Sequence, residues 1–244
     1  MLQQKADIIR QLQRDILPLQ GYKPLPGTAK HIGLGLMEKA FPNGIFPIWA
    51  IHECITNTPE EGAATAGFMS GLLAGLTKNN STCIWVSTSR RVFPPALQAF
   101  GLLPERMLFV DVQKEKDALW VMEEALKCEG LAAVIGEIRN LDFKTSRRLQ
   151  LAVEQSRVTG FIIRHNLKQL NTIACVARWK IAPLASDINM PGVGFARWKV
   201  ELLKVRNGKP GSWEMEWHAG KLRIVQPEKQ PIWLTGLSHY GSAI

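Results

Sequence analysis

The stretch most open to chemistry runs from Thr56 to Thr65, TNTPEEGAAT, between a strand-like IWAIHECI and a small-residue helical run AATAGFMSGLLAGL. A strand–loop–helix passage of this kind is where a phosphate-binding loop sits. Such a loop uses glycines for close backbone approach, a Lys for the phosphates and a Ser/Thr hydroxyl for Mg²⁺. Gly62 stands at the final-glycine place, but Ala63 and Ala64 follow where the Lys and the hydroxyl belong. Glu60 and Glu61 put negative charge where a triphosphate would lie. The loop is a degenerate one, and neither nucleotide cofactor nor metal is expected on it. Glu60 and Glu61 are expected to satisfy the free N–H groups of the helix that follows.

No other catalytic set emerges. The five histidines are scattered, and neither HExxH, GxSxG nor GxGxxG occurs. Glu137 ends an apolar run, where a magnesium-binding acid would sit; without a phosphate-binding Lys the plainer expectation is a carboxylate paired with Arg139 or an amide. Cys54, Cys83, Cys128 and Cys175 lie far apart in apolar surroundings. They read as buried thiols of a reducing compartment, not as a disulfide or zinc framework. No enzyme activity is expected.

The basic residues are the better candidates. In an open α/β sheet, sites form beyond the carboxyl ends of the strands. Arg90 and Arg91 follow the second strand; Arg164, His165 and Lys168 close or follow the fifth. If those strands are neighbours, the two groups line one edge, and phosphate contacts need only cations and donors in a groove. Arg147 and Arg148 fall on a helix and read as a solvated face. Arg178, Lys180, Arg197, Lys199, Lys204 and Arg206 alternate with apolar residues, beside Trp179 and Trp198. Arg–Trp pairs on an open sheet would stack bases; the commoner reading puts the tryptophans in the core.

The elements that must position these groups follow from periodicity. Strand-like runs IWAIHECI, TCIWVST, MLFVDV, LAAVIGEI and GFIIRH alternate with helical runs AATAGFMSGLLAGL, PPALQAFG, KDALWVMEEALKC and TSRRLQLAVEQS. Continuous apolar strands signal a parallel sheet covered on both faces. Gly67, Gly71 and Gly75, four residues apart, give one helix a bare stripe that lets it lie close on the sheet. After residue 172, ACVARWKIA, FARWKVELLKVR, SWEMEWH and KLRIVQ read as antiparallel strands extending that sheet. The fold expected is α/β, a mainly parallel sheet flanked by helices with antiparallel C-terminal strands. Residues 1–25 read as an N-terminal amphipathic helix and linker, 26–226 as the core, and 227–244 as a C-terminal tail.

Composition agrees. The chain has 244 residues, 46% hydrophobic and 21% charged, which suits a domain with a real core and excludes a disordered or fibrous chain. No apolar run reaches membrane-spanning length, and the polar start is no secretory signal; a cytoplasmic protein is expected. The net charge is +9. Residues 157–244 carry 13 Lys/Arg against 5 Asp/Glu, so the excess is C-terminal. A basic face suits nucleic acid or an acidic partner, or simply solvation.

Several of these runs carry a family resemblance. LGL (34–36), FPNG and AIHECI, followed by the small-residue helix, resemble the entry to a RecA core. More specifically, FPNG…AIHE, GAATAGF, ALW.MEEAL, SRRLQLAVEQSRVTGFIIR, ARW.IAP and ARWKVELLKVRNGKPGSW resemble the ImuA family of RecA-like proteins from bacterial mutagenesis cassettes, over about residues 30–226. The resemblance implies a RecA-like core and a role in SOS-induced, error-prone translesion synthesis. It also implies an ImuB-like Y-family polymerase homologue and an error-prone polymerase subunit as partners. A RecA-type protein, single-stranded DNA and a second copy met through the N-terminal helix are further expected partners; a membrane is not. Against RecA itself, the phosphate-loop Lys and Thr are Ala63 and Ala64, the water-activating acid is Ser89, and the long loop after the fifth strand shrinks to HNLKQLN. These departures favour a non-catalytic adaptor. The alternatives are a DNA-binding module, or an unorthodox ATPase using Gly62, Glu137 and Arg90 and acting on RecA-type filaments. QPIWL (230–234) also resembles a sliding-clamp-binding peptide but lacks its usual end; the plainer expectation packs Trp233 on the domain.

Overall fold

A computed structural model of the chain describes residues 11–12, 32–77, 81–167, 169–186, 192 and 194–225. The expected helix over 1–18, apart from Gln11 and Leu12, and the tail with Trp233 lie outside them, as do both expected domain boundaries.

The described residues build one nine-stranded sheet. Its strands are β1 (Ile51–Thr56), β2 (Thr82–Ser87), β3 (Met107–Asp111), β4 (Leu131–Glu137), β5 (Thr159–His165), β6 (Ala177–Leu184), β7 (Arg197–Val205), β8 (Gly211–His218) and β9 (Lys221–Ile224). Their spatial order is β3-β2-β4-β5-β1-β6-β7-β8-β9. The first six run parallel and the last three antiparallel to their neighbours. The α/β class is therefore as expected, with one correction. The sequence pattern predicts an antiparallel β6; it pairs parallel with β1, Cys54 opposite Trp179, and only its other edge meets β7 antiparallel.

The helices are α1 (Pro59–Leu76), α2 (Pro94–Gln98), α3 (Glu115–Leu126) and α4 (Phe143–Ser156). Side chains alternate across the strands, so each central strand feeds two cores. Cys83, Trp85, Ala133, Ile135, Phe161 and Ile163 meet Phe68 and Leu72 of α1. Val86, Val134 and Ile162 meet Met122 and Leu126 of α3 and Leu149 and Val153 of α4 on the opposite face. Burial on both faces is why these strands read as unbroken apolar runs.

The glycine stripe of α1 does what its spacing predicts. A Cβ at Gly71 would sit 2.8 Å from the Trp217 ring, and one at Gly75 2.9 Å from the Ile32 carbonyl oxygen. Trp179 and Trp198 are buried beneath this helix, so the core reading holds for both. Cys54, Cys83 and Cys175 are buried, and burial pushes the Cys83 and Cys175 thiols up to about 12. Cys128 is the exception: it is exposed, two residues past the end of α3. Among the described residues no helix is long and apolar enough to cross a membrane.

The carboxyl edge of the sheet as candidate functional site

The passage from β1 to α1 leaves only Asn57 and Thr58 outside regular structure. Thr58 caps the helix: its hydroxyl oxygen accepts from the Glu61 N–H at 3.2 Å, while Glu61 Oε2 accepts from the Asn57 N–H at 2.7 Å. Pro59 occupies the first turn, where it lacks an N–H to leave unpaired. Lys180 of β6 then holds Glu61 Oε1 at 3.2 Å. Gly62, Ala63 and Ala64 thus lie inside α1 rather than in a loop. Ala63 faces water, Ala64 is buried, and a Cβ at Gly62 would meet only His165 Cε1, at 3.8 Å. The turn is a closed capping device.

Beside it, four strand ends converge on Glu137, which is almost wholly buried. Trp85 Nε1 donates to Glu137 Oε1 at 2.9 Å, and the Ser89 hydroxyl donates to Oε2 at 3.2 Å. His165 Nε2 stands 3.5 Å from the same Oε2, and its Nδ1 lies 2.6 Å from the Thr56 hydroxyl. A ring protonated at Nε2 fits both partners, with Thr56 donating to Nδ1. Burial pushes the Glu137 carboxyl up, but the nearby His165 ring and the hydrogen bond from Trp85 outweigh it and hold the group below the usual carboxylate range. The expected partners of Glu137 are therefore replaced. Arg139 instead donates to the Asn166 carbonyl at 3.1 Å. Among the described residues no cluster of three or more His, Cys, Asp or Glu side chains is placed to hold a metal ion.

Arg164 is where expectation and structure part most. It is buried, its side chain 3% exposed, and although it reaches the floor of a cleft its guanidinium is spent on protein acceptors rather than free for a phosphate. Its Nη1 donates to Glu53 Oε1 at 2.9 Å and to Asn171 Oδ1 at 2.8 Å; Nε and Nη2 both donate to the Arg139 carbonyl. Arg178 binds the other oxygen of Glu53. Asn171 Nδ2 donates to the Leu141 carbonyl. One buried carboxylate in mid-strand thereby ties together the loops after β4 and β5. Those loops bound an open cleft of about 830 Å³, lined by Arg139, Leu141, Asp142, Thr145, Leu167 and Gln169. Glu53 and Asn171 were missed as organisers. The signal was there: a Glu inside IHECI, on a strand buried on both sides, requires cations beside it.

The other candidates separate. β4 lies between β2 and β5, so Arg90 and Arg91 do not adjoin Arg164. Lys168 lies outside the described residues. Arg90 and Arg91 are exposed after β2, with Arg90 Nε 2.7 Å from Asp111 Oδ2. The C-terminal basic stripe is largely neutralised: Arg178 by Glu53, Lys180 by Glu61, Arg197 by Glu216 and Lys199 by Glu201. Arg147 and Arg148 pair with Glu154 and Glu123 on the helical surface, as a solvated face should.

No family model matches the chain. Two curated proteins are similar to it, both called Protein ImuA, from Caulobacter vibrioides strains NA1000 / CB15N and ATCC 19089 / CIP 103742 / CB 15. Each is 32% identical over 209 residues, covering 78% of this chain and 84% of the relative. The unbroken runs that resembled this family from sequence alone form β1, α1, α4, β5 and β7 of the described core, and with identity at that level across most of both chains, the chain belongs to the ImuA family.

Proposed function

We propose that this protein is a RecA-like, non-catalytic accessory protein of SOS-induced, error-prone translesion DNA synthesis. In this role it binds an ImuB-like Y-family polymerase homologue, and through it an error-prone polymerase subunit, in the cytoplasm. The observation that carries the non-catalytic part is the β1–α1 turn. Its helix N-terminus is occupied by Thr58, Pro59 and Glu61, and Lys180 is spent on Glu61 instead of on a phosphate. Fold alone does not fix function, so a sheet of this order with a closed turn can serve as a binding scaffold. Membership of the ImuA family supports the mutagenesis role.

Titration of the full chain with labelled ATP and Mg²⁺ tests this reading. The expected result is no saturable binding. Saturable binding that is lost on Gly62→Trp would overturn it in favour of an ATPase. A direct contact with single-stranded DNA belongs to the same proposal and is favoured by the exposed Arg91 at the carboxyl edge.

A further inference from the structure

We propose that the loop from Ser87 to Phe93 is a single-stranded DNA contact in which the Phe93 ring stacks on a base and Arg91 takes an adjacent phosphate. The inference rests on the reading that the protein works at DNA, and it assigns the contact to a particular loop.

The loop is held rigidly at its root. Ser87 Oγ accepts from the Ser89 and Arg90 N–H groups at 3.1 and 3.2 Å, and the Ser89 hydroxyl donates to buried Glu137. Arg90 sits in the left-handed region at φ 46°, with its guanidinium on Asp111. A non-glycine residue there carries strain that the surrounding contacts must hold. On the far side Val92 packs against the main core, and Pro94 and Pro95 stiffen the entry to α2. Between these anchors Phe93 is 68% exposed, the most exposed of the described large apolar side chains. The anchored backbone on either side presents the ring to solvent, so little main-chain ordering is left to be done when a base stacks on it.

The charge around the ring favours a polyanion. Arg91 is exposed, and no acid lies within ion-pair distance of it among the described residues. β4 is the neighbour of β2, and the Ser89–Glu137 bond joins their ends, so exposed Arg139 belongs to the adjoining loop. Aromatic faces beside cations along one edge are the parts from which sequence-tolerant single-strand binding is built, stacking for the bases and cations for the backbone. Trp179 and Trp198, the rings beside the C-terminal basic stripe, are buried, whereas Phe93 is an exposed ring two residues from exposed Arg91.

Fluorescence anisotropy of the full chain with a labelled oligothymidylate, at two salt concentrations, tests the assignment. Phe93→Ala is expected to weaken binding about tenfold with the salt slope unchanged, and Phe93→Trp to retain it. Arg91→Gln is expected to weaken binding and to reduce the salt slope by about 0.7. Trp120→Ala, an exposed ring on α3, serves as the control and is expected to bind as the unaltered chain does. Urea unfolding of each variant confirms that the fold is kept. Unaltered binding by Phe93→Ala, or no DNA binding by the full chain, overturns the assignment. Normal DNA binding by Phe93→Ala together with loss of the ImuB-like partner in a pull-down makes the loop a protein contact, and also overturns it. Failure here with the partner complex intact leaves the proposed adaptor role standing; loss of that complex in the unaltered chain removes the adaptor role instead.

Discussion

Glu53 Oε1 and Arg164 Nη1 meet at 2.9 Å in the middle of the sheet, with 0% and 3% of their side chains exposed. Arg178 shares the same carboxylate from β6. Two cations therefore depend on one buried acid, and through Arg164 and Asn171 the loops after β4 and β5 depend on it as well. Removing one partner of a buried pair leaves an uncompensated charge. Glu53→Gln and Arg164→Gln are each expected to cost about 3–5 kcal/mol in urea unfolding. Arg91→Gln, on the surface, is expected to stay within about 0.5 kcal/mol. Loss of DNA binding on changing Arg164 would therefore report on the fold, whereas loss on changing Arg91 would report on contact.

His52 supplies a pH dependence. It is fully buried, its Nε2 donates to the Pro47 carbonyl at 2.7 Å, and its Nδ1 accepts from Trp179 Nε1 at 3.3 Å. Burial lowers its pKa from 6.5 to about 4, only partly offset by the Pro47 bond. The unfolded chain then binds a proton that the folded chain refuses. Stability is full above pH 6.5 and falls as the pH drops towards about 4, by about 3 kcal/mol over the window. His52→Phe is expected to be less stable at pH 7, because Pro47 and Trp179 lose their partner, yet to show a flatter urea midpoint between pH 6.5 and 4.5.

Two glycines of α1, Gly75 on the stripe and Gly62 off it, separate close contact from open space. Gly75→Ala drives a Cβ against the Ile32 carbonyl and is expected to cost about 1–3 kcal/mol. Gly62→Ala meets only a His165 carbon at 3.8 Å and lies within the helix, so it is expected to be neutral or to gain up to about 1 kcal/mol. Thermal unfolding of the two variants checks both signs.

Glu137 discriminates in a different way. In Glu137→Gln the side-chain oxygen still accepts from Trp85, whereas Glu137→Ala leaves that buried N–H and the Ser89 hydroxyl without an acceptor. The alanine variant is expected to be the less stable by about 1–3 kcal/mol. Its acid unfolding is also informative. A carboxyl held below its ordinary range stabilises above that range and loses the contribution as the pH falls through the lowered value. Both variants should lose that part of the acid limb.

The elements of the core were legible because local pattern and burial agree. Unbroken apolar runs became strands covered on both faces, and the four-residue glycine spacing became the close approach of α1. Strand order was less so: β6 joins the parallel set because a long connection carries the chain to the far side of β1, which no local pattern records. Arg164 misled because a cation at a strand end looks like surface until its buried acid, Glu53, is placed opposite. Phe93 went unnoticed because an isolated aromatic residue more often packs in a core than faces water.

The most direct test of the adaptor role is size-exclusion chromatography of the full chain mixed with its ImuB-like partner, with and without ATP–Mg²⁺. The expected result is a stable complex that elutes identically in both conditions. A complex that forms only with ATP, or no complex in either condition, would contradict it.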